Sequence, residues 1–193
     1  MRFSAHAGAF ILCCVVLLFG TFIYQRVANP SLEYSLDAPA SAANPDHDHP
    51  PLTPEDTKAL GSLMEELRAK PTDPALTLRI ADIFVRNKDW MNAAAFLEKA
   101  AELAPNEHRP WHLLGFARSQ QGQYDEAAKA FEKAVSIGSE PQSMFSLGVM
   151  YRYHLNRQQK ALEQFIAVKN SPKSDASLRE MAEKEIFSLN TGK

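Results

Sequence analysis

Cysteine is nearly absent: the 193 residues hold only Cys13 and Cys14, side by side in an apolar run. Adjacent thiols do not staple a loop, and neither Cys-x-x-Cys nor Cys-x-x-Cys-His occurs, which excludes dithiol redox chemistry and covalent haem attachment. An excess of either charge is also missing. The 21 Lys and Arg face 23 Asp and Glu, with a pI near 6.3. Wrapping nucleic acid needs clustered cations that displace counterions, so nucleic acid is excluded as a partner class. There is no Gly-x-x-x-x-Gly-Lys phosphate loop and no nucleophile elbow. The sequence therefore predicts neither an enzyme nor a cofactor.

The chain divides into three parts. From Ala5 to Tyr24 it reads AHAGAFILCCVVLLFGTFIY. At a rise of about 1.5 Å per residue this run crosses a hydrocarbon core about 30 Å thick. Arg2 and the apolar core also fit a signal peptide, but Thr21-Phe22-Ile23-Tyr24 offers no small-x-small cleavage pair and Leu12 before Cys13 spoils a lipoprotein site. Residues 1–27 are thus expected to be an uncleaved single-pass anchor. Arg2 with the terminal amine, against Arg26 on the far side, favours a cytoplasmic N-terminus and a domain outside the cytoplasmic (inner) membrane. Residues 28–52 carry Pro30, Pro39, Pro45, Pro50 and Pro51 among small and acidic residues. Too little apolar surface exists there to offset ordering, so a disordered tether spanning roughly 25 to 30 Å is expected. Within it, Asp46-His47-Asp48-His49 has metal-ligand chemistry but nothing around it to fix a site, and it reads as solvated linker.

The remainder, 53–193, repeats itself. Ala93, Ala127 and Ala161 are 34 residues apart, as are Leu97, Phe131 and Phe165, while Ala81 to Gly115 is 34 and Gly115 to Gly148 is 33. Each unit holds two stretches of helical periodicity around a short polar turn: Asn87-Lys88-Asp89, then Gln121-Gly122-Gln123, then a turn one residue longer around Asn156-Arg157. Small residues at Ala81, Gly115 and Gly148 suit the close approach of two helices, and Leu97, Phe131 and Phe165 are expected to fill the space between successive hairpins. Thr53-Pro54-Glu55-Asp56 is a helix start, with a hydroxyl cap, a first-turn proline and acids near the positive dipole end. The expected arrangement is a leading helix 53–70, repeats 74–107, 108–140 and 141–172, and a polar-faced closing helix 174–190.

The second unit, WHLLGFARSQQGQYDEAAKAFEKAVSI from Trp111, resembles the tetratricopeptide repeat through Trp111, Leu114, Gly115, Gly122, Tyr124, Ala127, Phe131 and Ala134. The first matches through Ile80, Ala81, Phe84, Trp90, Ala93, Leu97, Ala100 and Pro105, the third through Phe145, Leu147, Gly148, Tyr151, Ala161 and Phe165. Arg118, Ser139 and Arg157 depart from the pattern. The resemblance implies an all-α helical-hairpin solenoid of three repeats, whose first helices line a groove that binds a protein or peptide. By repeat position its lining is Leu78, Asp82, Val85 and Arg86, then Arg109, His112, Phe116, Ser119 and Gln120, then Gln142, Phe145, Val149, Arg152 and Tyr153. Relatives that clamp a C-terminal carboxylate use Lys and Asn where this chain has Leu78, Asp82, His112 and Phe116, so that specificity is not expected. Phe116, Phe145, Val149 and Tyr153, flanked by Arg86 and Arg152, suit an apolar or amphipathic helical segment instead.

The implied function is a membrane-anchored adaptor or scaffold for protein–protein interaction. Leu63 to Gly115, with Leu67, Pro71, Asp73 and Pro105, is also similar to the repeat lobes of bacterial cytochrome c assembly factors, which implies a place in that pathway. A periplasmic chaperone and an envelope or pilus assembly scaffold are alternatives of the same class. A metal- or haem-handling protein using His47, His49, His108 and His112 is the alternative of another class, although the four-residue spacing of His108 and His112 lacks a third ligand.

Overall fold

The computed structural model describes residues 51–191, and every element among them is helical. The apolar run read as an anchor, the tether up to Pro50 and its Asp-His cluster lie outside the described residues. Among the described residues no helix is long and apolar enough to cross a membrane.

Local chemistry sets the first starts. Helix α1, Pro54–Ala69, opens where the Thr53 hydroxyl accepts from the Asp56 N–H at 3.0 Å, and it buries Leu60, Leu63 and Leu67 at helical spacing. Helix α2, Pro74–Arg86, is capped by Asp73, whose carboxylate takes the N–H groups of Ala75 and Leu76. Helix α3, Trp90–Leu103, is capped by Asp89 through Asn92 N–H. The rest follow as α4, His108–Gln120; α5, Tyr124–Gly138; α6, Pro141–Val149; α7, Gln158–Asn170; and α8, Ala176–Thr191. Successive helices pair as hairpins, α2 with α3, α4 with α5 and α6 with α7, stacked side by side as a solenoid.

The three hairpin turns share one backbone device. Lys88, Gly122 and Asn156 stand at their middles with φ of 57°, 74° and 51°. This left-handed geometry reverses the chain within three residues. It also corrects the reading that gave the third turn an extra residue: Leu155-Asn156-Arg157 is no longer than the other two. The extra residue lies inside the helix, where Met150–His154 forms a π turn and Leu155 N–H reaches back to the Met150 carbonyl at 3.0 Å. A shorter junction compensates. Ser139 and Glu140 alone join α5 to α6, with Ser139 at φ 47°, whereas residues 104–107 join α3 to α4. That trade explains why Gly115 to Gly148 is 33 while the second helices keep a period of 34.

Phe131 and Phe165 lie in the core shared by successive hairpins, as expected, and each ring also packs against the glycine on the first helix of its own hairpin. A Cβ on Gly115 would meet the Phe131 ring at 2.8 Å, and one on Gly148 the Phe165 ring at 2.7 Å. Both phenylalanines are fully buried. Absence of a side chain on the first helix makes room for a ring on the second.

Buried apolar side chains form two clusters, one from α1 to α4 with Ala130 of α5, the other from α5 to α8. Helix α8 packs mainly on α7 and reaches α6, as a next first helix would. Asp73 to Ala81, Glu107 to Gly115, Glu140 to Gly148 and Asp175 to Glu183 are each eight residues apart. Glu183 is exposed and pairs with Lys169. A charged side chain thus stands where the earlier repeats have Ala81, Gly115 and Gly148.

Candidate functional site

The face formed by the first helices is tied together by polar contacts at each step. Arg86 of α2 donates to Asp56 of α1 at 2.7 Å, and the Asn87 amide adds a second bond at 3.0 Å. These two donors, Asn87 foremost, hold the Asp56 carboxyl below its ordinary pKa. Arg109 of α4 pairs with Asp82 of α2 at 2.8 Å. His112 Nδ1 of α4 meets the Ser143 hydroxyl of α6 at 2.9 Å. Arg152, in the π turn, pairs with the Glu185 carboxylate of α8 and donates to Ser188 Oγ at 2.6 Å. Tyr153 completes that corner by donating to Glu185 at 3.0 Å; burial and then this acceptor push its hydroxyl pKa up.

These ties decide what the proposed lining offers. Arg86 and Arg109 each keep 59% of the side chain exposed beside their acids, so both stay reachable from solvent. Arg152 keeps only 13% and belongs to the α8 junction. Leu78 and Val85 pack against the first core cluster, and Phe145 and Val149 against the second, with Phe145 tilted on Phe165 at 5.4 Å between centroids. Ser119 donates to the Phe116 carbonyl within its own helix. Gln120 and Gln142 are exposed. Two aromatics stand in solvent, Phe116 at 40% and Tyr153 at 58% exposure. Phe116 is steadied edge-on by Trp90, 5.5 Å between centroids.

Arg109, His112 and Gln142 do come together. With His108, Leu113, Glu140 and Ser143 they line a cleft of about 260 Å³ between the starts of α4 and α6. His112 is half-buried, and burial followed by the nearby His108 lowers its pKa. Glu140, at the mouth, is held below its usual carboxyl range chiefly by Lys173, 2.8 Å away. Among the described residues no group of three or more His, Cys, Asp or Glu side chains is arranged to hold a metal ion.

Sequence reasoning did not foresee the polar partners of the proposed lining. Asp56, Ser143, Glu185 and Ser188 each engage a side chain of the proposed lining from about one repeat away. Arg118, which departs from the repeat pattern, pairs with Glu98 of α3 and donates to Gln123 at 2.6 Å, so it tightens the second hairpin's turn. Complementary groups offset by about one repeat were the available signal.

Residues 108–140 match the family model of the tetratricopeptide repeat. No curated protein matches the sequence. Among solved structures, a crystal structure of MamA superposes with a TM-score of 0.60 at 16% identity, covering 71% of this chain and 88% of that one. MamA from Desulfovibrio magneticus RS-1 gives 0.54 at 24% identity, with 59% and 64% covered. The type III secretion translocator chaperone SycD of Yersinia enterocolitica gives 0.56 at 16% identity, with 62% and 92% covered. At these identities the likeness is one of fold, and it places the described helices among tetratricopeptide-like solenoids.

Proposed function

We propose that this chain is a tetratricopeptide adaptor that holds a polypeptide on the face of α2, α4 and α6, with no chemistry of its own. Phe116 carries the reading: a large apolar ring, 40% exposed on a first helix and braced by Trp90, has the rigidity and position of an interface anchor. Arg86 and Arg109, both exposed on first helices, orient an acidic or amphipathic segment. The fold shared with the type III secretion translocator chaperone SycD supports a protein-handling role and keeps a chaperone within the same reading. The apolar run Ala5–Tyr24 supports membrane tethering with the solenoid outside the cytoplasmic membrane. The narrower place in cytochrome c maturation gains nothing from the similar structures, and we confine the role to holding a partner.

The test is capture of partners by the full chain in its native membrane, compared with Phe116→Ala. Loss of specific partners at unchanged helicity is expected. Equal capture would remove the groove from the function. Equilibrium dialysis of the same chain against zinc, copper and haem addresses the other class, and tight stoichiometric uptake would overturn the adaptor reading.

A further inference from the structure

His112 occupies an unusual place in the stack. It stands on α4, which belongs to the first core cluster, yet its ring packs on Phe131 of the second at 5.5 Å and its Nδ1 bonds Ser143 of α6, also in the second half. Ser143 is 1% exposed, so the bond is made in the interior, at the floor of the 260 Å³ cleft. His112 is thus the polar side chain that crosses from one core to the other on the groove face. From the geometry we infer that the α4–α6 seam is an acid-sensitive hinge, closed while the His112 imidazole is neutral and loosened when it takes a proton.

The surroundings set the direction. On its own helix His112 has His108 one turn earlier and Arg109 beside that, both on the cleft. Arg109 is matched by Asp82 of α2, and Glu98 of α3 is matched by Arg118. From α5 the ring meets uncharged Phe131. From the start of α6 it meets the Ser143 hydroxyl, while Glu140, the acid on the cleft, is engaged by Lys173 and faces His108. A charge on His112 would be poorly hydrated, would face His108 and would find no free carboxylate among the described residues lining the cleft. The unfolded or opened chain therefore takes the proton first. Stability of the seam is complete above the ordinary histidine range and falls as pH drops through about 6.5 toward the lower value of the closed state. A hinge at this step changes the angle between the second and third repeats, and hence the curvature of the face above it. The inference stands whether or not that face binds a partner.

The experiment is hydrogen exchange of the full chain at about pH 7.5 and about pH 5, corrected for intrinsic rates, beside His112→Gln and His108→Gln. Residues 141–147 of wild type are expected to lose protection several-fold on acidification relative to α2 and α3. His112→Gln is expected to abolish that difference and His108→Gln to keep it. A flat wild-type profile, or a pH dependence that survives in His112→Gln, would overturn the hinge. Should the glutamine variant fold poorly, the imidazole C–H resonances of wild-type His112 decide: titration below the ordinary histidine range supports the hinge, and titration at or above it refutes it.

Discussion

The ring of Phe131 lies directly on the backbone of Gly115, so close that a methyl group there would come within 2.9 Å of three ring carbons. Phe165 stands in the same relation to Gly148. The second and third hairpins close because their first helices lack a side chain at one point and their second helices place a fully buried ring at the same level.

Gly115→Ala and Gly148→Ala are therefore expected to lower stability by about 1–3 kcal/mol, the usual effect of overpacking a filled core, although alanine is the better helix former. Gly61→Ala in α1 meets nothing within 4 Å and should raise stability by about 0.5–1 kcal/mol. Urea unfolding of the three variants reads the contrast. Equal effects of Gly61→Ala and Gly115→Ala would contradict the packing account.

Met150–His154 carries one residue more than an α-helix needs, because Leu155 N–H skips to the Met150 carbonyl. Removing one residue there should let the helix continue as ordinary α-helix into the same Leu155-Asn156-Arg157 turn. Removing one from the middle of α4 should misplace the buried Leu114 and Ala117. Circular dichroism with thermal melting tests this: the first deletion should keep helicity, the second should lose much of it.

Arg152 fastens α8 through Glu185 and Ser188, with 13% and 21% of the ion pair's two side chains exposed. Arg152→Ala leaves Glu185 without its guanidinium and should cost about 2 kcal/mol. The loss should fall on α8, seen as faster amide exchange over residues 178–189 and little change in α2 and α3. Uniform loss across the stack would show that α8 is not separately fastened.

Acid should loosen the other end. Asn87 and Arg86 hold the Asp56 carboxyl below its ordinary pKa of 3.8, so the stability they confer is present above that value and lost as pH falls through it. Asp56→Asn should flatten this acid limb in melts recorded between about pH 5 and about pH 2.

The hairpin fold was legible because its determinants recur at fixed spacing. Ala81, Gly115 and Gly148 against Leu97, Phe131 and Phe165 mark close approach and bulk even before any coordinates. The π turn was not legible, since one residue added near the end of α6 leaves the apolar pattern intact; only the shift from 34 to 33 between Gly115 and Gly148 hinted that a junction and a helix had exchanged a residue. Nor were the ties on the groove face. Arg152 reads as a free cation until α8 brings Glu185 to it from 33 residues away, and Phe145 reads as groove lining until its ring is found on Phe165. Periodicity assigns a residue to a helix face, whereas neighbours across the stack decide whether that face is open.

The most direct test of the adaptor account is photocrosslinking in the native cell from a reactive side chain placed at Phe116, beside one at Ile166, a comparably exposed apolar residue on the second helix α7. The account predicts discrete polypeptide adducts from position 116 and none of these from position 166. The same adducts from both positions, or none from 116, would contradict it.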